Sequence, residues 1–543
     1  MTLASLLDAT NAQLLALIDR RHPEFKDSLD HWNFAESCYK GGRNWIEHNI
    51  FTYHKEGKTE FAERKKRAFR FPHSREVVSL VNKYVFKGSI ERREDLPPHI
   101  KEFWGASTML KRPIADLMSS FSSWTSTYGR IWVVVDNNVP TSTVTEEDRK
   151  VSKGRCYSYF IKPQLAFDFA YDDDGELEWF MNGELVRDDD DPLTSTGKVD
   201  LQYRVWTKEF WATVSLKTEN NERIARVSDF GEHNIGVVPV FPADHLASED
   251  LYASPGLIED VAYLDRAVAN YLSNLDVIIQ DQTFSQLAIP YQGLLPSAPA
   301  MGEEDEDHEE ANQVQVMGHK RVFLFNAEGG IAPSFISPDV KQAAIILTVI
   351  TKIVGEIYHS IGMAGERTKE DNATGIDNSS GVAKAYDFER LNAMLAAKAR
   401  SLQNIEKNLV RLVNAWNKDL KELEAVEDYV TYPETFDVRN LADEMLNAQR
   451  LSLLSAPKAL RRLQMKRVVK KMFPQAADAD VTEIETEIDG DWLTEPPPLS
   501  PGTPGAPGLP TPGAGRVPGK ANTQGENNKG APGASDTTKG QPA

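Results

Sequence analysis

Apolar positions in the first 120 or so residues recur at helical spacing. Leu6, Leu7, Leu14, Leu15 and Ile18 form one stripe, and Val77, Val78, Val81 and Val85 form another. Tyr39-Lys40-Gly41-Gly42 predicts a turn between them, and Pro72 a break. From about 128 to 245 the pattern becomes strand-like. Arg130–Asp136, Tyr157–Ile161, Leu165–Tyr171, Leu177–Met181 and Leu201–Trp206 are β-rich runs. Turn chemistry separates them at Asp172-Asp173-Asp174-Gly175, Asn182-Gly183 and Asn220-Asn221, so this region is expected to be a mostly antiparallel sheet.

Helical spacing returns at Ser254-Pro255, a good helix start. Leu257, Val261, Leu264, Val268, Tyr271, Leu275 and Ile278 follow steps of four and three. After Ser337-Pro338-Asp339 the pattern repeats at Val340, Ala343, Leu347, Ile350, Val354, Ile357 and Ile361. Such steps make one narrow apolar seam, the signature of helices packed along each other. An ordinary helical hairpin in a globular core has the same periodicity. Between the two helices, Leu287–Pro290 and Val322–Phe325 read as strands, pairing with each other or with a neighbouring subunit. Between them lies Gly302–Glu310, with seven carboxylates in nine residues, which stays in solvent or meets a basic partner. A polar loop, Ala364–Gly381, then leads into a long helix, about 382–416. Its seam is Leu391, Leu395, Lys398, Leu402, Ile405, Leu409, Leu412 and Trp416.

Residues 437–490 read as shorter helices with a basic cluster, Arg461-Arg462, Lys466-Arg467 and Lys470-Lys471. Leu460, Leu463, Val468 and Met472 supply an apolar side, giving an amphipathic helix; a site for an acidic partner is the alternative. From Glu495 to Ala543, 21 of 49 residues are Pro or Gly, which cannot build a core.

The chain has 543 residues and a formal charge of −20, which argues against tight wrapping of nucleic acid. The run Glu63-Arg64-Lys65-Lys66-Arg67 is expected to be a solvated helix face or a subunit contact. Cys38 and Cys156 give neither a disulfide framework nor zinc spacing, and fit reduced intracellular thiols. The N-terminus lacks the basic start and continuous apolar run of a signal peptide. The longest apolar run, Ala343–Thr351, falls short of the roughly 20 residues that span a bilayer. A soluble protein with no membrane partner is expected.

No motif for chemistry stands out. GxxxxGK[ST], strand-linked GxGxxG, HExxH, CxxC and GxSxG are all missing. The Asp172–Gly175 turn departs from a calcium loop, since Ala170 and Met181 occupy ligand positions. No catalytic, cofactor or metal residue is assigned, and the chain is read as a non-enzyme. Two rivals are another assembly component, such as an adaptor or scaffold, and a metal-dependent nuclease with dispersed carboxylates.

The order of these segments resembles the portal proteins of tailed double-stranded DNA bacteriophages. The matching residues are Tyr39-x-Gly41-Gly42, then Arg64 and Arg67-Ala68, Val77-Val78 to Val85-Phe86, and Tyr128–Asp136. Ile235–Val240 and Ser254–Asp265 follow. The resemblance covers about 30–480. It implies an α+β portal-like subunit: a mixed wing (1–254), stem helices (255–285 and 338–362) and a small clip (286–337). A tunnel loop (363–382), a long wing helix (383–416), a helical crown (417–490) and a disordered tail (491–543) complete it.

The same resemblance implies a head-to-tail connector, usually a ring of twelve, at one capsid vertex of the virion. Its subunits would be made in the host cytoplasm. Double-stranded DNA passes through the channel during packaging and ejection. The implied partners are further copies, the major capsid protein, scaffold, the large terminase subunit and a head–tail adaptor, with no cofactor. On this reading Leu257, Val261, Leu264, Val268, Leu347, Ile350, Val354 and Ile357 pack the stem. Arg367, Lys369 and Lys384 would touch phosphates transiently, and Asn372, Asn378 and Ser379 would give neutral contacts. Twelve chains of −20 carry about −240, which repels phosphate from most of the channel wall and lets DNA slide.

Overall fold

The structure, a computed structural model, describes residues 1–53, 56–88, 90–93, 95–138, 154–189, 191–233, 235–283, 286–290, 322–325, 334–336, 340–362, 381–417, 429–434, 436, 457–472 and 478–490. The fold is α+β, in two compact units, residues 1–437 and 438–543. The acidic run 303–310, the loop 363–380 with Arg367, Lys369, Asn372, Asn378 and Ser379, and the tail 491–543 lie outside the described residues.

The first unit opens with eight helices: α1 (Leu3–Leu7), α2 (Asn11–Ile18), α3 (Phe25–Lys40), α4 (Arg43–Asn49), α5 (Lys58–Arg67), α6 (His73–Val85), α7 (Pro98–Gly105) and α8 (Ile114–Tyr128). Thr2 and Thr10 start α1 and α2 through capping boxes. α3 stops at Gly41 and Gly42, both at positive φ, where a side chain would be strained. The end of α3 is held by arginines. Arg70 Nη2 donates to the Cys38 carbonyl at 2.8 Å, and Arg75 Nε to that of Tyr39 at 2.9 Å.

Two antiparallel sheets follow. In one, β2 (Arg130–Asn137) lies between β3 (Cys156–Ile161) and β9 (Val240–Asp244). The other is a meander of β4 (Ala166–Tyr171), β5 (Leu177–Arg187), β6 (Val199–Thr207), β7 (Phe210–Glu219) and β8 (Glu222–Glu232). Asn220 and Asn221 both take positive φ, as a two-residue hairpin between β7 and β8 requires. At the β4–β5 turn, Asp172 Oδ1 accepts from the amides of Asp174 and Glu176, and Oδ2 from Lys208 Nζ at 2.7 Å.

Asn182-Gly183 is not a turn. Both residues lie inside β5, where Gly183 pairs with Tyr203. Asn182 is buried and accepts from Trp206 Nε1 at 3.2 Å. A Cβ on Gly183 would sit 2.8 Å from the Phe167 ring, so this glycine makes room for aromatic packing rather than for a bend.

Beyond the sheets the chain enters α9 (Val261–Thr283), β10 (Gln286–Pro290), β11 (Val322–Phe325), β12 (Ser334–Ile336) and α10 (Val340–Ser360). The long α11 (Gly381–Trp416) comes next. β1 (Glu91–Arg92) pairs antiparallel with β13 (Val430–Thr431). α9 begins at Val261 rather than at Ser254-Pro255. The preceding segment is docked on the end of α8 instead: Leu257 N donates to Ser126 O at 2.9 Å. Gly129, at φ +84, lies so close that a Cβ there would meet Ser254 O at 1.6 Å.

One apolar core joins α2, α3, α6–α8, the two antiparallel sheets, α9, α10 and α11. The α11 seam packs into it, with Leu391, Leu395, Lys398, Leu402, Ile405, Leu409 and Leu412 all buried. In the second unit, α12 (Lys458–Met472) and α13 (Asp478–Asp489) form a pair. α12 is not amphipathic. Its apolar residues lie all round the helix, and Leu460 and Leu463 are exposed while Val468 is buried.

Candidate assembly site: a helical hairpin on a charged anchor

α9 and α10 form a hairpin. Each is joined to one strand of a small sheet in the order β11-β10-β12. β10 follows α9, and β12 precedes α10. The antiparallel register Gln286↔Ile336, Leu287↔Phe335, Ala288↔Ser334 therefore turns the second helix back along the first. β11 pairs with β10 in parallel, Leu287↔Val322 to Pro290↔Phe325. The two sequence-predicted strand runs thus meet within one chain.

The base of the hairpin is fixed by charge. Asp265 of α9 is fully buried and accepts from Ser74 Oγ at 2.7 Å, Ser74 N at 3.0 Å and Arg70 Nη2 at 3.0 Å. Arg64, itself buried, donates to both carboxylate oxygens of Glu56, to Phe51 O and to Ser273 Oγ of α9. Arg67 pairs with Asp276 of α9 at 3.2 Å, Lys65 with Glu47 and Lys66 with Glu63. The basic run is therefore not simply a solvated face: two of its arginines clamp α9. The missed signal was Asp265 and Asp276 among the apolar positions of α9. Close by, Cys38 is fully buried, and burial pushes its thiol up to about 11 despite the Trp45 Nε1 hydrogen bond, so it is unreactive.

α10 is anchored at its C-terminal end. Ile357 and Tyr358 are buried, and Tyr358 Oη donates to Glu76 Oε2 at 2.6 Å. Of the sequence-predicted stem positions, Val261, Val268, Ile350 and Ile357 are buried, and Leu257, Leu264 and Val354 pack partly buried against the core. Leu347 is 50 % exposed and Ile345 64 % exposed. Ile346, one residue from Leu347, packs on the core in its place. On α9, Tyr263, Tyr271 and Ile279 are exposed. Lys384 lies in the first turn of α11.

Among the described residues, Ile345 and Leu347 are thus the large apolar side chains that α10 leaves exposed. Its hydroxyls need no partner from outside. Thr348 Oγ1 donates to Ala344 O at 2.9 Å and Thr351 Oγ1 to Leu347 O at 3.0 Å. Burying this face would leave no hydroxyl donor unpaired there.

From Lys341 to Ser360 this helix is long and apolar enough to cross a membrane by length and composition. The sequence expectation counted only the uninterrupted run ending at Thr351, whereas the helix continues through Lys352 and Glu356. Its last turn is nevertheless fixed in the protein core. The turns before Ile353 rise only about 20 Å, less than the roughly 30 Å of a hydrocarbon layer.

No family model matches this chain, and no curated protein matches it. Among the solved structures similar to it are two chains of gene transfer agent particles. One is a chain of "Neck of empty GTA particle computed with C6 symmetry", at 10 % identity and TM-score 0.33, covering 71 % of this chain and 90 % of that one. The other is a chain of "Virion of native gene transfer agent (GTA) particle", at 11 % identity and TM-score 0.33, covering 78 % and 99 %.

Proposed function

We propose that the chain is the subunit of a portal ring, a non-enzymatic connector through which double-stranded DNA enters and leaves a capsid. The observation that carries this reading is the hairpin of α9 and α10, which leaves Tyr263, Tyr271, Ile279, Ile345 and Leu347 exposed among the described residues while its base is locked into a well-packed body. Patches of this kind mark interfaces. The exposed residues of α9 and those of α10 are different surfaces. Packing one against the other between copies gives a heterologous contact, which closes into a ring when the rotation allows. The sequence resemblance supplies the rest of the proposal: about twelve copies, a stem made by α9 and α10, and a clip made by β10–β12. The clip would meet the terminase and later the adaptor, and the 363–382 loop would face the DNA. The particle is a virion, and no membrane takes part.

Ile345→Lys combined with Leu347→Lys tests the interface in the full chain. Both sites are exposed, so the subunit should keep its thermal unfolding while its mass in solution falls from the ring to the monomer. An unchanged oligomer would sink the assignment. The loop is tested separately. Arg367→Ala with Lys369→Ala should impair DNA packaging or retention, and unchanged packaging and retention would remove these residues from the channel.

A further inference from the structure

The β5–β6 hairpin runs past the rest of its sheet. β4 pairs with β5 as far as Asn182, and β7 pairs with β6 only from Gln202 onward. Leu185–Arg187 and Val199–Leu201 therefore pair only with each other, as a two-stranded ribbon. Such a ribbon is marginal in water by itself. Side chains alternate across it, so Leu185, Val199 and Leu201 share a face with Tyr203. Tyr203 is buried and Leu201 packs on the core, whereas Leu185 and Val199 are exposed. The face that builds the core thus continues beyond it. At the apex, Asp191 Oδ1 accepts from Leu193 N at 3.0 Å and Oδ2 from Thr194 Oγ1 at 2.9 Å, which holds Leu193 93 % exposed. Residues 187–200 hold five aspartates against Arg187 and Lys198.

The segment between α7 and α8 has the opposite charge. From Ser107 to Pro113 it holds Lys111 and Arg112 and no carboxylate. Met109 and Leu110 at its tip are 70 % and 80 % exposed. The loop is fixed in this shape. Arg155 Nη1 donates to Ala106 O at 2.5 Å, and Nη2 to Thr108 O at 2.7 Å and Met109 O at 2.9 Å. Ser107 N donates to Arg112 O across its base, and Lys111 is held at φ +60, a strained conformation for a residue with a side chain. Neither Lys111 nor Arg112 has an ion-pair partner among the described residues. We infer that the ribbon of one copy docks on this loop of a second copy. Leu185, Leu193 and Val199 cover Met109 and Leu110, and the aspartates lie beside Lys111 and Arg112. Apolar burial drives the contact. Opposite charge sets its register and rejects ribbon against ribbon. The chain carries both complementary halves, which favours a second copy over an unrelated protein. The two surfaces differ, so the contact is heterologous.

This contact is separate from the α9–α10 hairpin and needs no ring. Cys38 and Cys156 are buried, so a short bismaleimide applied to the full chain reads introduced thiols. Chains carrying Leu110→Cys, mixed with chains carrying Leu193→Cys, should give a linked dimer, and either variant alone should give none. Adding Arg112→Glu to the first chain, or Asp189→Lys to the second, should cut the yield of linked dimer severalfold. Both reversals together should restore most of it. All four positions are exposed, so each chain should keep its thermal unfolding. Equal yields in the four mixtures would overturn the inference. A mixture with no linked dimer would also overturn it, leaving the ribbon to a different protein. Linked dimer from a compact oligomer without a channel would keep this contact and overturn the portal reading. Rings that give no linked dimer would do the reverse.

Discussion

α10 and α11 are neighbours in sequence with opposite surfaces. α11 buries polar groups: Lys398, Glu406 and Asn414 are each fully buried. Each has a partner. Lys398 Nζ donates to Thr125 Oγ1 at 2.6 Å, and Asn414 Oδ1 lies 2.8 Å from His99 Nε2. Glu406 accepts from Arg92 Nε and Nη2 at 2.7 and 3.0 Å and from Tyr432 Oη at 2.8 Å. α10 leaves Ile345 and Leu347 exposed among the described residues. The first helix is finished inside one chain; the second has a face still to be covered. Buried polar groups that find partners inside the chain specify a rigid body, whereas exposed apolar residues suit a partner.

Substitutions at four positions sharpen this contrast. The largest loss is expected for Glu406→Ala, which strands Arg92 and Tyr432 beside an uncompensated buried site. Breaking such a pair costs about 3–5 kcal/mol, and urea unfolding should report it. Ile357→Ala, at the buried end of α10, should cost about 2–5 kcal/mol.

Lys398→Met should act in the opposite direction. Burial drives the Lys398 amine well below the ordinary lysine range, only partly offset by Asp244. Thr125 keeps its own hydrogen bond to Phe121 O when the amine is lost. The unfolded chain takes up a proton that the folded chain resists, so wild-type stability falls as pH drops below the free-lysine value and levels off below the folded pKa. The variant should be more stable by about 1–4 kcal/mol near neutrality. That advantage should vanish above about pH 10.4. A pH-independent difference would show that the amine is not the cause. Leu347→Ala should be the smallest change, within about 0.5 kcal/mol in the isolated subunit. A loss as large as that of Ile357→Ala would mean that Leu347 is already covered.

Much of this contrast was legible in the sequence. The α11 seam reads correctly, even at Lys398, because a fully buried helix face imposes its spacing whatever the residue's polarity. The α10 seam reads less well, because apolar residues occur on several sides of that helix and spacing alone does not choose between Ile346 and Leu347. Asn182-Gly183 carries turn chemistry that aromatic packing overrides, and β7 and β8 lack a strong alternating pattern at their exposed ends. The arginine clamp on α9 was illegible because Arg64 and Asp265 meet partners about 200 residues away. Nothing local in the basic run marks Arg64 for burial.

The central claim is that copies of this chain close into a ring through the α9–α10 hairpin. The most direct test is the mass of the full-length protein in solution, with negative-stain images of the same sample. The account predicts a ring of about twelve copies around an open central channel. A closed dimer, or a compact oligomer with no channel, would contradict it.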